Sequence, residues 1–94
     1  MIKRFVKMTF KPEHIQEFVT LFDAKKELIA AAEGCTHLEL LQDIENANVF
    51  FTFSIWENPN HIENYRQSEL FKGVWAKTKV LFDDKPQAWS LKGL

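Results

Sequence analysis

Three segments of the chain can each be divided into two faces by the alternation of side chains that is typical of β-strands. They are residues 2–10, 35–43 and 49–57, and a short fourth strand, 87–91, is predicted after Pro86. In the first strand, Arg4 is the one charged residue on an otherwise apolar face. A polar turn over 44–48 joins the second strand to the third, which predicts a hairpin.

The third strand, VFFTFSIWE, carries aromatic residues on both of its faces. One face consists of Val49, Phe51, Phe53 and Ile55, and the other consists of Phe50, Thr52, Ser54 and Trp56. We expect the first, wholly apolar face to contact a second subunit. The second face, with two hydroxyls and an indole, is expected to line a pocket beneath the helices.

Three helices are predicted between the strands. The first starts at Pro12 and ends at Gly34, which are the residue types favoured at these positions. Its apolar stripe consists of Ile15, Phe18, Leu21, Phe22, Leu28, Ile29 and Ala32. The second, near 60–67, is predicted to begin with a capping box formed by Asn60 and Glu63. The third, near 69–82, follows an N-cap at Ser68. Its inward side chains are expected to be Phe71, Val74, Trp75 and Phe82.

The predicted order is β-α-β-β-α-β in a single domain over 1–94, with the second helical region divided in two. This is the ferredoxin-like α+β arrangement, an antiparallel sheet with helices on one face. The other face would then be bare, although the first and third strands place apolar side chains there. Because a bare apolar face of this extent is rare on a monomer, we expect a homodimer that packs sheet against sheet.

The amino-acid composition limits the cellular location and the kinds of partner that we expect. The 94 residues are 46% hydrophobic and 27% charged, and nine Phe, three Trp and one Tyr can fill a core, a pocket and an interface. The net charge is −1 with no basic block, which argues against a nucleic-acid partner. Cys35 is the single cysteine, so no internal disulfide is possible. We expect no signal peptide, no membrane association and a cytoplasmic location.

A family resemblance begins at Gly34-Cys35, which enters the second strand, and continues through Trp56 at the end of the third strand to the segment YRQSELF over 65–71. In this order the elements resemble the antibiotic biosynthesis monooxygenase family of dimeric α/β barrels. The family pattern has a helical His where this chain has Tyr65. It has an Asn four residues before the Trp, where this chain has Thr52.

The resemblance implies a cofactor-free monooxygenase that oxidises a small aromatic molecule, such as a quinol or a polyketide, in a pocket between sheet and helices. It also implies a homodimer. Relatives that degrade haem use an Asn, a Trp and a helical His. Since Thr52 and Tyr65 replace two of these three residues, we expect neither haem nor another cofactor.

The candidate catalytic residues are Trp56, Tyr65 and Thr52, which can offer hydrogen-bond donors to a substrate oxygen. The candidate substrate-binding residues are His61, Phe71, Trp75 and Ser54. Each candidate also has a purely structural explanation. The aromatic residues can be part of the core, and the hydroxyls of Thr52 and Ser54 can bond to each other across the sheet. His61 can be a solvated residue in the first helical turn. Tyr65 can also serve as an acid if its pKa is lowered.

The remaining polar candidates have structural interpretations. His37 and Glu39 share a strand face and are expected to form a polar pair near the dimer seam, and His14 is expected to be exposed. Cys35 is expected to be a small buried residue, and no ligand spacing indicates a metal site. Two functions stay open: an oxygenase acting on an electron-rich phenol, or a non-catalytic dimeric module that binds a small ligand or a protein.

Overall fold

The computed structural model describes residues 1–94 and has the predicted element order. The elements are β1 (Ile2–Thr9), α1 (Ile15–Ala30), β2 (Cys35–Gln42), β3 (Val49–Trp56), α2 (Pro59–Arg66), α3 (Glu69–Lys79) and β4 (Gln87–Leu91). The four antiparallel strands form one sheet in the order β2-β3-β1-β4. The ferredoxin-like α+β prediction is confirmed. None of the helices has the length and apolar character that a membrane span requires.

The two faces of β3 are those that the alternation predicted. Phe50, Ser54 and Trp56 are buried on the side that the helices cover. On the opposite side, Phe53 pairs with Phe5 of β1, and their rings stack with centroids 4.8 Å apart. Antiparallel partners share a face, so the bare side of the sheet carries an aromatic centre.

The core lies between the sheet and α1. Its buried members are Met8, Phe10, Phe18, Phe22, Phe50 and Leu81. Phe10 is wholly buried, and its ring stacks on that of Phe18 with centroids 4.1 Å apart. The core therefore occupies the end of the sheet where β1 finishes and β3 begins. At the other end, the layer beneath the helices contains polar residues.

The helix boundaries correct two expectations. α2 is capped by Asn58, whose side chain accepts from the His61 amide at 3.1 Å; the predicted capping box at Asn60 is wrong. The reason is Pro59, which occupies the first helical position and makes the preceding residue the cap. α3 ends at Lys79, so Phe82 lies beyond it and forms a bridge with Phe10.

The cap predicted at Ser68 is confirmed, since its hydroxyl accepts from the Phe71 amide at 3.1 Å. On α1, the buried positions are Phe18, Phe22 and Ile29. Leu28 is 56% exposed and does not belong to the inner stripe. Successive helical residues are about 100° apart, so the neighbour of a buried Ile29 turns away from the core.

Gly34 ends the α1 region with a φ of +84°, in the region where glycine is favoured. The β2–β3 register then shifts: Cys35 pairs with Trp56, whereas His37 pairs with Ile55. This bulge inserts one extra residue and moves Cys35 to the Trp56 face. Strict alternation along β2 would place Cys35 on the face of His37, so the bulge breaks the strand pattern at this residue.

Candidate functional site

A cavity of about 420 Å³ lies between the sheet and the helices. Thirteen of its 20 lining residues are hydrophobic, and they come from every helix and every strand. The predicted site residues among them are Thr52, Ser54, Trp56, Tyr65, Phe71 and Trp75. A cavity of this size and character falls in the range of sites for small organic ligands.

A polar row crosses three strands of the sheet, and two of its members, Arg4 and Ser54, lie on the cavity floor. Arg4 of β1 is paired with Ser54 of β3 on one side and with Ser90 of β4 on the other. The Arg4 Nη1 donates to Ser90 Oγ at 3.1 Å. Since directly paired antiparallel residues point to one face, all three side chains lie on the helix side of the sheet.

Trp56 is 2% exposed, and its indole Nε1 donates to Ser54 Oγ at 2.9 Å. The two residues are neighbours on one strand face, two positions apart. The indole N–H is therefore already engaged within the protein. A serine hydroxyl that accepts one hydrogen bond still has its own proton to donate. In this pair, Ser54 is thus the residue that can offer a donor to the cavity.

An aromatic wall runs along one side of the cavity. Its members are Trp56, Tyr65, Phe71 and Trp75, with successive ring centroids 5.3, 5.2 and 5.8 Å apart. Phe82 does not line the cavity but packs against Trp75, with ring centroids 5.6 Å apart. These separations are within the range of favourable ring–ring contacts. The wall joins the end of β3 to α2 and α3, and presents a dry surface against which a flat ring can lie.

Burial raises the pKa of Tyr65 to about 12, and the nearby Cys35 thiol adds to the shift. The hydroxyl is therefore protonated at neutral pH and can act as a hydrogen-bond donor. The idea that Tyr65 has a lowered pKa is wrong. Burial also raises the pKa of Cys35, and a backbone hydrogen bond at His37 partly offsets this rise. A protonated thiol is a poor nucleophile.

His61 does not line the cavity. Its ring packs directly over Gly34, where a Cβ atom would overlap it, and its Nε2 lies 3.7 Å from Glu33 Oε1. Its Nδ1 is buried without a hydrogen-bond partner. His61 was expected either at the pocket mouth or in solvent. Its side chain is in neither place and is 19% exposed. Because glycine has no side chain, the His61 ring can pack against the backbone of Gly34, and it lies there rather than in the cavity.

Two charged lining residues were not among the candidates: Arg4 and Arg66. Burial and then the nearby Arg66 lower the pKa of Arg4, so the two guanidinium groups are close enough to repel each other. Arg66 is half-exposed, and its Nη1 lies 3.9 Å from Glu63 Oε2. The signal for Arg4 was present in the sequence, as the one charge on an apolar strand face.

The other polar pairs lie away from the cavity. His37 Nε2 is 3.0 Å from Glu39 Oε1 on the bare sheet face, as the strand pattern indicated. His14 Nδ1 is 3.2 Å from Glu17 Oε1 at the start of α1, where it is partly rather than fully exposed. No three His, Cys, Asp or Glu side chains are grouped in a way that could hold a metal ion.

Comparisons with known proteins agree with this architecture. The family model described as antibiotic biosynthesis monooxygenase matches residues 1–77. No curated protein sequence matches the chain. A crystal structure titled antibiotic biosynthesis monooxygenase superposes with a TM-score of 0.94 at 16% identity, covering 100% of this chain and 99% of that one.

Two further solved structures have the same fold. A conserved protein from Methanosarcina mazei Go1 has a TM-score of 0.92 and 23% identity, with 97% of this chain and 90% of that chain covered. PA3566 from Pseudomonas aeruginosa has a TM-score of 0.87 and 19% identity, with 99% and 93% covered. At these identities the structural likeness shows the fold alone.

Proposed function

The chain belongs to the antibiotic biosynthesis monooxygenase family, and from this premise we propose that it is a cofactor-independent monooxygenase acting on a small aromatic molecule. The observation that carries the proposal is the cavity of about 420 Å³, which is walled by aromatic rings and has hydroxyl donors on its floor. Such a cavity suits an electron-rich ring, for example a quinol or a polyketide-like phenol.

In the proposed reaction, the substrate anion itself passes an electron to oxygen. The protein's part is to hold the ring, to stabilise the developing oxyanion and to exclude water. The aromatic wall holds the ring and excludes water. Tyr65 and Thr52 are the proposed donors to the oxyanion, and Ser54 is the proposed donor to a second polar group of the substrate. Trp56 acts through Ser54, because its N–H fixes the serine oxygen and leaves the hydroxyl proton available.

The alternative is a binding module of the same fold that performs no chemistry. One observation favours it: the Trp56 N–H, which was a candidate donor to a substrate oxygen, is donated to Ser54 instead. The open cavity favours the oxygenase, since a module that only contacts a protein partner has no need of a large internal cavity.

We also propose that a second copy of the chain covers the bare sheet face. Phe5 and Phe53 form the apolar centre of this face. Lys3 and Lys7 lie on the same face of β1, and Glu39 lies on that of β2, so one patch carries both charges. A patch of this kind can be complementary to itself across a two-fold axis.

A cytoplasmic location is part of the proposal. Cys35, the single cysteine, is a free thiol, which suits a reducing compartment.

Oxygen uptake by chelator-treated protein with a panel of quinols tests the proposed reaction. We expect turnover above the uncatalysed rate. Tyr65→Phe keeps the ring but removes a donor and should lower kcat roughly tenfold to a hundredfold. The control Lys72→Gln, on the exposed side of α3, should leave kcat unchanged. No turnover with any quinol, together with tight binding of the same compounds, would favour the binding module.

A further inference from the structure

The cavity is positively charged although the chain as a whole is not. Arg4 and Arg66 are the only charged residues among those that line it, and no carboxylate is present there. The whole chain has a net charge of −1. Arg66 lies 3.9 Å (Nη1 to Oε2) from Glu63, which does not line the cavity, whereas Arg4 has no such partner. The excess of positive charge in a largely apolar cavity attracts an anion.

Arg4 has no charged partner within the protein. Its polar neighbours are the hydroxyls of Ser54 and Ser90, and its hydrogen bond goes to Ser90 Oγ. None of the ion pairs in the structure includes it. The neighbour that perturbs it most by charge is Arg66, another cation.

The free donors of Arg4 open on the cavity. A guanidinium has five N–H donors, and one hydrogen bond to Ser90 leaves others available. His61 Nδ1 is the one fully buried side-chain polar atom without a partner. The unpaired Arg4 donors are therefore accessible rather than sealed inside the protein. Because these donors are accessible in a largely apolar cavity, an anion can reach them and form charge-assisted hydrogen bonds.

We propose that the ligand of this cavity is an aromatic carboxylate, whose carboxylate group is bound at the floor by Arg4 and the Ser54 hydroxyl. Arg66 adds a second positive charge at the cavity edge, and the ring of the ligand lies against the aromatic wall. The planar guanidinium matches a carboxylate with two parallel hydrogen bonds. This inference rests on the proposed function, that the cavity receives an aromatic molecule, and narrows the substrate class within it.

A carboxylate fits the arginine better than a phenol does. Phenols of ordinary pKa, about 10, are neutral at pH 7 and bring no charge to the cavity. A carboxylate is fully ionised there. Ser54 strengthens the choice, because its oxygen already accepts from Trp56 and its proton is left to donate to an acceptor-only group.

Calorimetric titration with 2-naphthoate and with the isosteric, uncharged 2-naphthamide tests the inference. We expect the wild-type protein to bind the naphthoate at least about tenfold more tightly. Arg4→Gln should abolish this preference and leave binding of the amide unchanged. Lys72→Gln removes the same charge from an exposed position outside the cavity, and the preference should persist.

Arg66→Gln provides a second variant on a half-exposed side chain, where folding is not at risk. It should reduce the preference for the naphthoate several-fold without abolishing it. Equal binding of naphthoate and amide by the wild type would overturn the carboxylate inference and leave the aromatic cavity standing. A preference that survives both arginine substitutions would also overturn it. Absence of binding for both compounds would contradict the proposed function itself.

Discussion

The indole Nε1 of Trp56 donates to the hydroxyl of Ser54 at 2.9 Å, inside a strand face that the helices bury. The pair lies at the junction of two regions of the site, the aromatic wall and the polar floor. Trp56 contacts Tyr65 on the wall, and Ser54 is paired with Arg4 on the floor. Structure and proposed chemistry therefore depend on the same hydrogen bond.

The first prediction concerns that bond. Ser54→Ala leaves the Trp56 N–H buried without a partner and should lower the free energy of unfolding by about 1–3 kcal/mol. In a Trp56→Phe background no N–H remains, so the serine substitution should have a much smaller effect. Urea unfolding of the two single variants and the double variant measures the coupling, expected at about 1 kcal/mol or more.

Thr52→Ala in the same Trp56→Phe background serves as the control. Thr52 also lines the cavity, but the hydrogen bond of Trp56 goes to Ser54. This pair should be additive within about 0.5 kcal/mol. Additivity of the Ser54 pair as well would mean that the hydrogen bond contributes nothing to stability.

The second prediction concerns Gly34. Its φ of +84° is strained for other residues, and a Cβ there would overlap the His61 ring. Gly34→Ala should therefore destabilise the protein by more than about 2 kcal/mol. Thermal unfolding should show the loss, with partial recovery when His61→Ala is added, since the backbone strain remains.

Gly73 is the matched control, because a Cβ at this position in α3 would meet no atom within 4 Å. Gly73→Ala should stabilise the protein by about 0.5–1 kcal/mol through the better helix propensity of alanine. If both alanine variants were equally stable, neither the positive φ nor the packing of His61 would matter at Gly34.

The third prediction uses the fact that Tyr65 is the single tyrosine of the chain. Ultraviolet absorbance of the tyrosinate should show titration near pH 12 in the folded protein, against an ordinary value of 10. Between pH 10 and about pH 12, the Tyr65 hydroxyl keeps its proton in the folded state but loses it in the unfolded state. The contribution of Tyr65 to stability is thus complete below about pH 10 and is lost as the pH rises through about 12.

Comparison with Tyr65→Phe isolates this contribution, since every other ionisable group is the same in both proteins. The difference in unfolding free energy between wild type and variant should shrink as the pH rises from 10 to 12. Titration of the folded wild type at its ordinary value would show that the hydroxyl is solvated rather than buried.

The fourth prediction tests the proposed dimer. Phe53→Lys places a charge at the centre of the bare sheet face, beside the stacked Phe5 ring. Sedimentation equilibrium should show a dimer for the wild type and a dissociation constant raised about thirtyfold or more for the variant. Ile44→Lys, at a fully exposed position in the β2–β3 turn, should leave the dimer intact. A monomeric wild type would contradict the proposal directly.

Much of the fold could be predicted from local pattern. Alternation assigned the two faces of β3, and the short-range chemistry of Ser68 marked the start of α3. The errors arose where neighbours compete: Pro59 moved the α2 cap from Asn60 to Asn58, and the bulge at Cys35 reversed one side chain. A bulge depends on how two strands meet, which neither strand shows alone.

The site was predictable in part. Six of its lining residues followed from the β3 face and the α2–α3 region, because periodicity determines which side chains share a surface. His61 was misplaced, since its position depends on Gly34, which is distant along the chain but lies directly beneath the ring. Arg66 was not recognised, because its proximity to Arg4 arises only when the chain folds.

By itself, the sequence determined the order of the elements, the two faces of β3 and the excess of aromatic side chains, all of which are local properties of the chain. Only the tertiary structure decided that the Trp56 N–H is used by Ser54, that Tyr65 holds its proton and that the cavity is cationic. The burial of a side chain and the charge around it depend on residues from distant segments that folding brings together. Neither property can therefore be read from any one segment of the sequence.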